Sequence, residues 1–460
     1  MKDKSASRPT PARRSLDEGG VSNLCVRICL ALLCAIAISA RATTITVINT
    51  NDSGSGSLRQ ALFDAQNGDT INFDPALKGQ TITLTSGELA IDKNITITGP
   101  GANLLAVSRV QNASPFRVFH VLPAHTAVIQ ALTISNGLAQ PGFGGGILNE
   151  GSATVGNCAV SGNSATASGG GIFSGYTSES ATTLIIESST LNGNFAGDYG
   201  GAIANFFFGM VTILNSTLSG NTAEFAGGGI VNFAGNQDSS VALSNTTLSG
   251  NACPFNGGGI SNARAGSGHA IVEIGNTILK AGASGQNIDS SNATVTSHGF
   301  NISSDDGSGF LIGPGDQINT DPLLGPLQDN GGPTLTHALL LGSPAIDTGA
   351  PNFTPPPFFD QRGPGFNRVV NGRIDKGSFE VQGPTPTPTP SLTPTPTATF
   401  TPTATATTTP MSTPTATATP TATPTSTSTA TPTPRATPTP RTSPAPRSRP
   451  TPPPRPNARR

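Results

Sequence analysis

Ser219-Gly220-Asn221-Thr222-Ala223-Glu224-Phe225-Ala226-Gly227-Gly228-Gly229-Ile230 sets a frame that recurs three more times in the chain. Ser161-Gly162-Asn163 leads to Gly169-Gly170-Gly171-Ile172, Asn192-Gly193-Asn194 to Gly200-Gly201-Ala202-Ile203, and Ser249-Gly250-Asn251 to Gly257-Gly258-Gly259-Ile260. The Asn returns after 31, 27 and 30 residues, a period that marks a solenoid, since one such unit cannot bury its apolar face until a neighbour stacks on it. Aligned on that Asn, three upstream columns are apolar: Ala153, Leu184, Val211 and Val241; Val155, Ile186, Ile213 and Leu243; Val160, Leu191, Leu218 and Leu248. A spacing of two between the first two columns is strand periodicity, so the unit is a coil of β-strands.

Two polar columns accompany the apolar ones. The face of Val155 and its equivalents continues to Asn157, Ser188, Asn215 and Asn245. Downstream, Ile172, Ile203, Ile230 and Ile260 precede Ser174, Asn205, Asn232 and Asn262. Asn in an inward, strand-ending position bonds its amide to the equivalent residue about 4.8 Å above and below, so both columns are expected to form ladders inside a cylinder of parallel strands. Only the segment between the glycines and the next Ser-Gly-Asn varies in length, so insertions leave the cylinder on one side, at 173–184, 204–210 and 231–240. Each glycine run feeds a β-like segment, which favours turns with positive φ over a phosphate-cradling loop.

Among 460 residues there are 55 Gly and no Trp, which suits a turn-dense all-β body. Residues 43–383 carry 11 basic and 23 acidic side chains, a net of −12, which argues against a nucleic-acid partner. The N-terminus has the form of an export signal over 1–42: Lys2, Lys4, Arg8, Arg13, Arg14 and Arg27, an apolar run from Ile28 to Ile38, and Ala40-Arg41-Ala42 as a small-x-small cleavage site. An uncleaved anchor is the alternative, though the apolar run is short for a bilayer span. Cys25, Cys29 and Cys34 would leave with the signal; Cys158 and Cys253 lie about three coils, roughly 14 Å, apart, too far for a disulfide. Ser57-Leu58-Arg59-Gln60 has the pattern of a capping box, and Leu58, Ala61, Leu62 and Ala65 give one apolar helix face that would lid the first coil. Strand-like stretches at 70–73, 81–84, 94–98, 116–122 and 127–134 place coils before the clear repeats.

The phrases Gly56-Ser57-Leu58-Arg59-Gln60-Ala61-Leu62, Gly68-Asp69-Thr70-Ile71-Asn72-Phe73 and Lys93-Asn94-Ile95-Thr96-Ile97-Thr98-Gly99-Pro100-Gly101-Ala102 resemble exported bacterial right-handed parallel β-helix proteins. The repeats themselves are similar to those of polymorphic outer-membrane-type proteins. Asn319-Thr320-Asp321-Pro322-Leu323-Leu324, Asp329-Asn330-Gly331-Gly332-Pro333-Thr334, Gly342-Ser343-Pro344-Ala345-Ile346-Asp347, Asp360-Gln361-Arg362-Gly363 and Asp375-Lys376-Gly377-Ser378-Phe379-Glu380 are similar to the choice-of-anchor Q domain family, with Lys376 where an aliphatic residue is usual. The resemblance covers 45–383 and implies a surface-associated or secreted β-helix before a variable C-terminal anchor, with no catalytic residues to transfer. The expected organisation is a parallel β-helix over 43–300, C-terminal coils and a cap over 301–383, with Asp360, Arg362, Asp375 and Glu380 as a salt-bridged cap, and a Pro/Thr-rich basic tail over 384–460. That tail, rich in alternating Pro, reads as an extended stalk up to roughly 240 Å long, ending in seven Arg and no acid.

Catalysis is weakly signalled. From Val118 to Ala263 there is no Lys or Arg, which leaves a polysaccharide lyase without a base or carboxylate clamp. The best carboxylate pair for a hydrolase is Asp198 with Glu224, in successive coils but offset by one position. Tyr176, Tyr199 and the run Phe206-Phe207-Phe208 are the available sugar-stacking rings, the run reading more readily as a packed insertion. Asp305, Asp306, Asp316 and Asp321 do not match a calcium-loop spacing, and His120, His125, His269, His298 and His337 have no metal-ligand spacing. The expectation is therefore an exported, monomeric, non-catalytic scaffold at or released from a bacterial surface, without cofactor or metal. Its partners would be envelope polysaccharide or surface or host glycans, met at the variable insertions; a secreted polysaccharide-degrading enzyme is the alternative.

Overall fold

The computed structural model describes residues 42–175 and 180–383; the expected export signal, the Pro/Thr-rich tail and Tyr176 lie outside them. The fold is an all-β parallel solenoid. Each full coil contributes one strand to a ten-stranded sheet A, one to a nine-stranded sheet B and one to an eight-stranded sheet C, and four coils add a short strand to a sheet D between B and C. The coil of the quoted stretch runs Gly209–Leu214 in A, Thr217–Ser219 in B, Thr222–Ala223 in D and Ile230–Ala234 in C.

The apolar columns stack as the sequence dictates. Leu184 pairs with Val211 and Val211 with Val241, Leu191 with Leu218 and Leu218 with Leu248, Ile203 with Ile230 and Ile230 with Ile260. All nine are buried in one continuous core, each contributing about 1.5–3 kcal/mol by burial. At the amino end, helix α1 (Leu58–Asp64) closes the cylinder with Leu58, Ala61 and Leu62. Ser57 caps it by accepting from Gln60 N, but the reciprocal half of the box is unmade, because the Ser57 N–H donates to Gly54 O (3.1 Å) instead. At the far end Leu311, beside Phe310, fills the last coil.

The glycine run has two physical causes. Gly227 takes a left-handed φ of 65°, as the turn reading anticipated. Gly228 does not; a Cβ there would lie 2.3 Å from the Ala252 carbonyl of the next coil, so it is small because backbones touch.

Two expectations are corrected. Asn157, Asn215 and Asn245 do not line the cylinder interior: they occupy left-handed corners between sheets A and B (φ 50°, 52° and 50°), and the stacking that the column keeps, Asn215 Nδ2 to Ser188 Oγ (3.4 Å) and Asn276 Nδ2 to Asn245 Oδ1 (2.8 Å), faces the strap, where Asn215 donates to Phe359 O and Asn245 accepts from Arg368. The inward polar shelf at this corner is the next residue, where Ser189 Oγ accepts from Cys158 N (3.0 Å) and Ser216 Oγ from Ser189 N (3.1 Å). Nor does the segment carrying Asp360, Arg362, Asp375 and Glu380 cap the cylinder end. It lies along the outer face of sheet B, where Thr217 Oγ1 donates to Gln361 Oε1 (2.6 Å), Ser219 Oγ meets His337 Nε2 (2.9 Å) and Ser378 N donates to Thr247 Oγ1 (3.1 Å). Sheet B presents hydroxyls outward there, and a strap with exposed polar backbone is what satisfies them.

That strap buries charge. Arg362 pairs with Asp360 at 2.6 Å and is sandwiched between the rings of Phe366 and Phe379 (3.9 and 3.8 Å). Lys376 donates to three oxygens of the last coil, and burial lowers its pKa to about 8. Burial and the neighbouring Asp375 push Glu380 up to about 8.

Candidate recognition groove

The predicted downstream ladder is present. Asn205 Nδ2 donates to Asn232 Oδ1 (2.8 Å) and Asn232 Nδ2 to Asn262 Oδ1 (2.9 Å), all buried, with Ser174 at its head accepting from Asn149. A longer ladder passed unrecognised although its residue served as the alignment mark. Asn163, Asn194, Asn221 and Asn251 are each at most 1% exposed and donate in series from Nδ2 to Oδ1 at 3.1, 2.9 and 2.8 Å. Their invariance across the repeats was the available signal.

The Asn205–Asn262 ladder runs along the inner face of sheet C, and strand alternation sends the residue before each of its members to the outer face. There Leu148, Phe173, Ala204 and Val231 form a second cluster, separate from the core and covered by Phe143 and Phe206. Rings stack along it: Phe143 to Phe173 at 4.7 Å, Phe173 to Phe206 at 5.4 Å and Phe206 to Phe233 at 5.3 Å. A second wall comes from the loops between sheets D and C, where Tyr199 meets Phe206 (6.2 Å) and Phe225 (6.1 Å), and Phe225 stacks on Phe255 (6.1 Å). Phe225 and Phe255 are 46% and 68% exposed, more than packing alone would leave. Between the walls lies a cavity of about 330 Å³, lined by Tyr199, Phe206, Phe233, Asn256, Ser261 and Asp289 among others.

A second cavity of about 590 Å³ opens on the same face at Arg117, His120, Phe143, Leu148 and Glu150. Leu148 lies three coils before Val231, so the two cavities are about 14 Å apart along the axis, with the Phe143–Phe173–Phe206 stack between them. His120 bridges Glu88 through Nδ1 (3.0 Å) and Glu150 through Nε2 (2.7 Å), and Arg117 stands 3.4 Å from Glu88. Burial opposes the imidazolium, but the bonds to the two carboxylates outweigh it and raise the His120 pKa above its ordinary 6.5. The bridge therefore contributes fully below pH 6.5 and is lost as pH rises through the folded-state pKa, since a neutral imidazole donates only one of the two bonds. The melting-temperature advantage of the natural chain over His120→Gln is expected to shrink on raising the pH from about 6 to about 9; a constant difference would mean that His120 is neutral throughout.

Asp198 and Glu224 lie in adjacent coils one position out of register. Ala196 pairs with Ala223 and Tyr199 with Ala226, so Asp198 stacks over Phe225 and Glu224 over Gly197. The four acids weighed for calcium are spread over separate tasks: Asp305 accepts from Asn287 N, Asp306 from Ser308 N, Asp316 from Asn301 N, and Asp321 pairs with Lys280. Among the described residues the acids that do gather are Asp347, Asp375 and Glu380, with buried Arg368 as their counter-charge. Cys158 and Cys253 are both free and buried, and burial pushes the Cys158 thiol up to about 12.

No protein-family model and no curated protein matches the chain, so the likeness to choice-of-anchor Q proteins is carried by the quoted phrases alone.

Proposed function

We propose that this protein is an exported, non-catalytic β-solenoid scaffold, held at or released from a bacterial surface, that recognises glycans in an adhesin-like way along the outer face of sheet C. The observation that carries this reading is the pair of aromatic walls, Phe206 and Phe233 on one side and Tyr199, Phe225 and Phe255 on the other. Exposed rings fixed on a rigid sheet offer flat apolar platforms at little entropic cost, and the apolar faces of sugar rings stack on such platforms. Phe206 and Phe233 stand on the strands of sheet C at the edges of the variable stretches 204–210 and 231–240, while Tyr199, Phe225 and Phe255 come from the loops between sheets D and C, in keeping with recognition at loops on a fixed frame. The alternative is a secreted polysaccharide-degrading enzyme, tested by hydrolysis assays on the natural chain and on Asp198→Asn and Glu224→Gln.

The test is glycan binding by the natural chain and by a Tyr199→Ala, Phe225→Ala double variant, whose rings are exposed enough to remove without opening the core. A loss of about tenfold or more in affinity is expected. Unchanged affinity would place recognition elsewhere. Export and anchoring are tested separately by surface proteolysis and cell fractionation of the full chain and of one ending at Gly383. Surface retention of the full chain alone is expected; release of both would remove the anchoring role of the basic tail.

A further inference from the structure

We infer that the cavity between the aromatic walls is a site for a protonated amine, so that the glycan the groove accepts is an amino-sugar polymer with free ammonium groups; this rests on the glycan reading above. The cavity has three aromatic rings, Tyr199, Phe206 and Phe233, and one acid, Asp289, on the adjoining strand Ile288–Ser291. Its lining contains no Lys or Arg. The Asp289 carboxylate has no hydrogen bond or ion pair to any described residue, in contrast to Asp305, Asp306, Asp316 and Asp321, which are all engaged. It is half-buried at the floor, where the strand register sets it beside Ser261.

Asp289 lies two coils, roughly 10 Å, beyond the coil of Phe233, at the far end of the same cavity. An unpaired, partly desolvated carboxylate in a cavity walled by aromatic rings is complementary to an organic cation seated between them: the ring quadrupoles attract the ammonium and the carboxylate supplies the counter-charge. An uncharged N-acetylated sugar would stack on the rings but leave Asp289 unpaired, and a polyuronate would meet it with like charge. Asn256, Ser261 and Ser291 add neutral polar groups for hydroxyls, which gives the mixture of apolar walls and few polar contacts typical of a ligand site. The body's net charge of −12 over residues 43–383 acts in the same direction, drawing a polycation towards the surface.

The experiment is calorimetric titration of the full chain with a β-1,4-linked glucosamine oligomer and with the N-acetylated oligomer of equal length, in a buffer below the amine pKa. The glucosamine oligomer is expected to bind about tenfold more tightly. In Asp289→Asn that preference should vanish while affinity for the N-acetylated oligomer, which also reports an intact groove, stays unchanged. Equal affinity for the two oligomers, a preference that survives in Asp289→Asn, or a variant that loses both ligands overturns the ammonium site and leaves the glycan reading standing. Failure of every neutral and charged glycan to bind the natural chain overturns both.

Discussion

Replacement of Asn221 by leucine is expected to lower stability by about 4 kcal/mol, read as a shift in the denaturant midpoint. Asn221 donates from Nδ2 to Asn251 Oδ1 (2.8 Å) and to Leu191 O (3.0 Å), and its Oδ1 accepts from Asn194 N (3.0 Å) and Asn194 Nδ2 (2.9 Å). Leucine is close in size but makes none of these bonds. The larger cost comes from the groups left behind: Asn194 N, one Nδ2 hydrogen of Asn194 and Leu191 O, all buried, lose their partner, at about 1–3 kcal/mol for each that cannot find another, while Asn251 Oδ1 keeps the Asn221 backbone N–H. A midpoint shift equivalent to less than about 1 kcal/mol would mean that the ladder is incidental to coil stacking.

Ile230→Asp is expected to be more severe and to abolish the soluble folded chain. Ile230 is fully buried, in register between Ile203 and Ile260, with no polar group of its own coil turned towards it on that row. A carboxylate there costs several kcal/mol whether it stays charged or takes up a proton, and stability in a solenoid is shared with the adjacent coils, so the defect spreads. The conservative Ile230→Val should cost only about 1 kcal/mol and remain folded. Soluble yield and far-ultraviolet dichroism of the two variants side by side decide the matter. An Asp variant as stable as the Val variant would place Ile230 outside the core.

Most of the fold was legible because a solenoid is a local object repeated. Val211, Ile213, Leu218 and Ile230 could be assigned inward from spacing alone, since each coil meets only its neighbours and every neighbour repeats the same pattern. Asn215 and Asn245 were misassigned because an Asn in an inward ladder and an Asn in a left-handed corner look alike in sequence; both prefer the short amide, one for its stacking and the other for its tolerance of positive φ. The Asn163–Asn251 ladder was hidden by its own regularity, since the residue served as the mark on which the repeats were aligned. The groove was less legible still. Phe206 and Phe233 share one offset in successive repeats, but Tyr199 and Asp289 fall at other places, over about 90 residues in all, so no single spacing rule connects the four.

The sequence alone determined that the chain is a stack of parallel coils, which residues fill it, where it varies in length and that its body is acidic. These properties follow from short-range periodicity and composition. Only the tertiary structure decided that the strap from 322 to 383 lies along sheet B instead of across the cylinder end, that Asp198 stacks over Phe225 and not over Glu224, and that rings from three coils form two walls of a cavity holding an unpaired Asp289. Each depends on the lateral offset between stacked loops and on contacts between residues more than a hundred positions apart, such as Thr217 with Gln361, and periodicity within a coil carries no information about either.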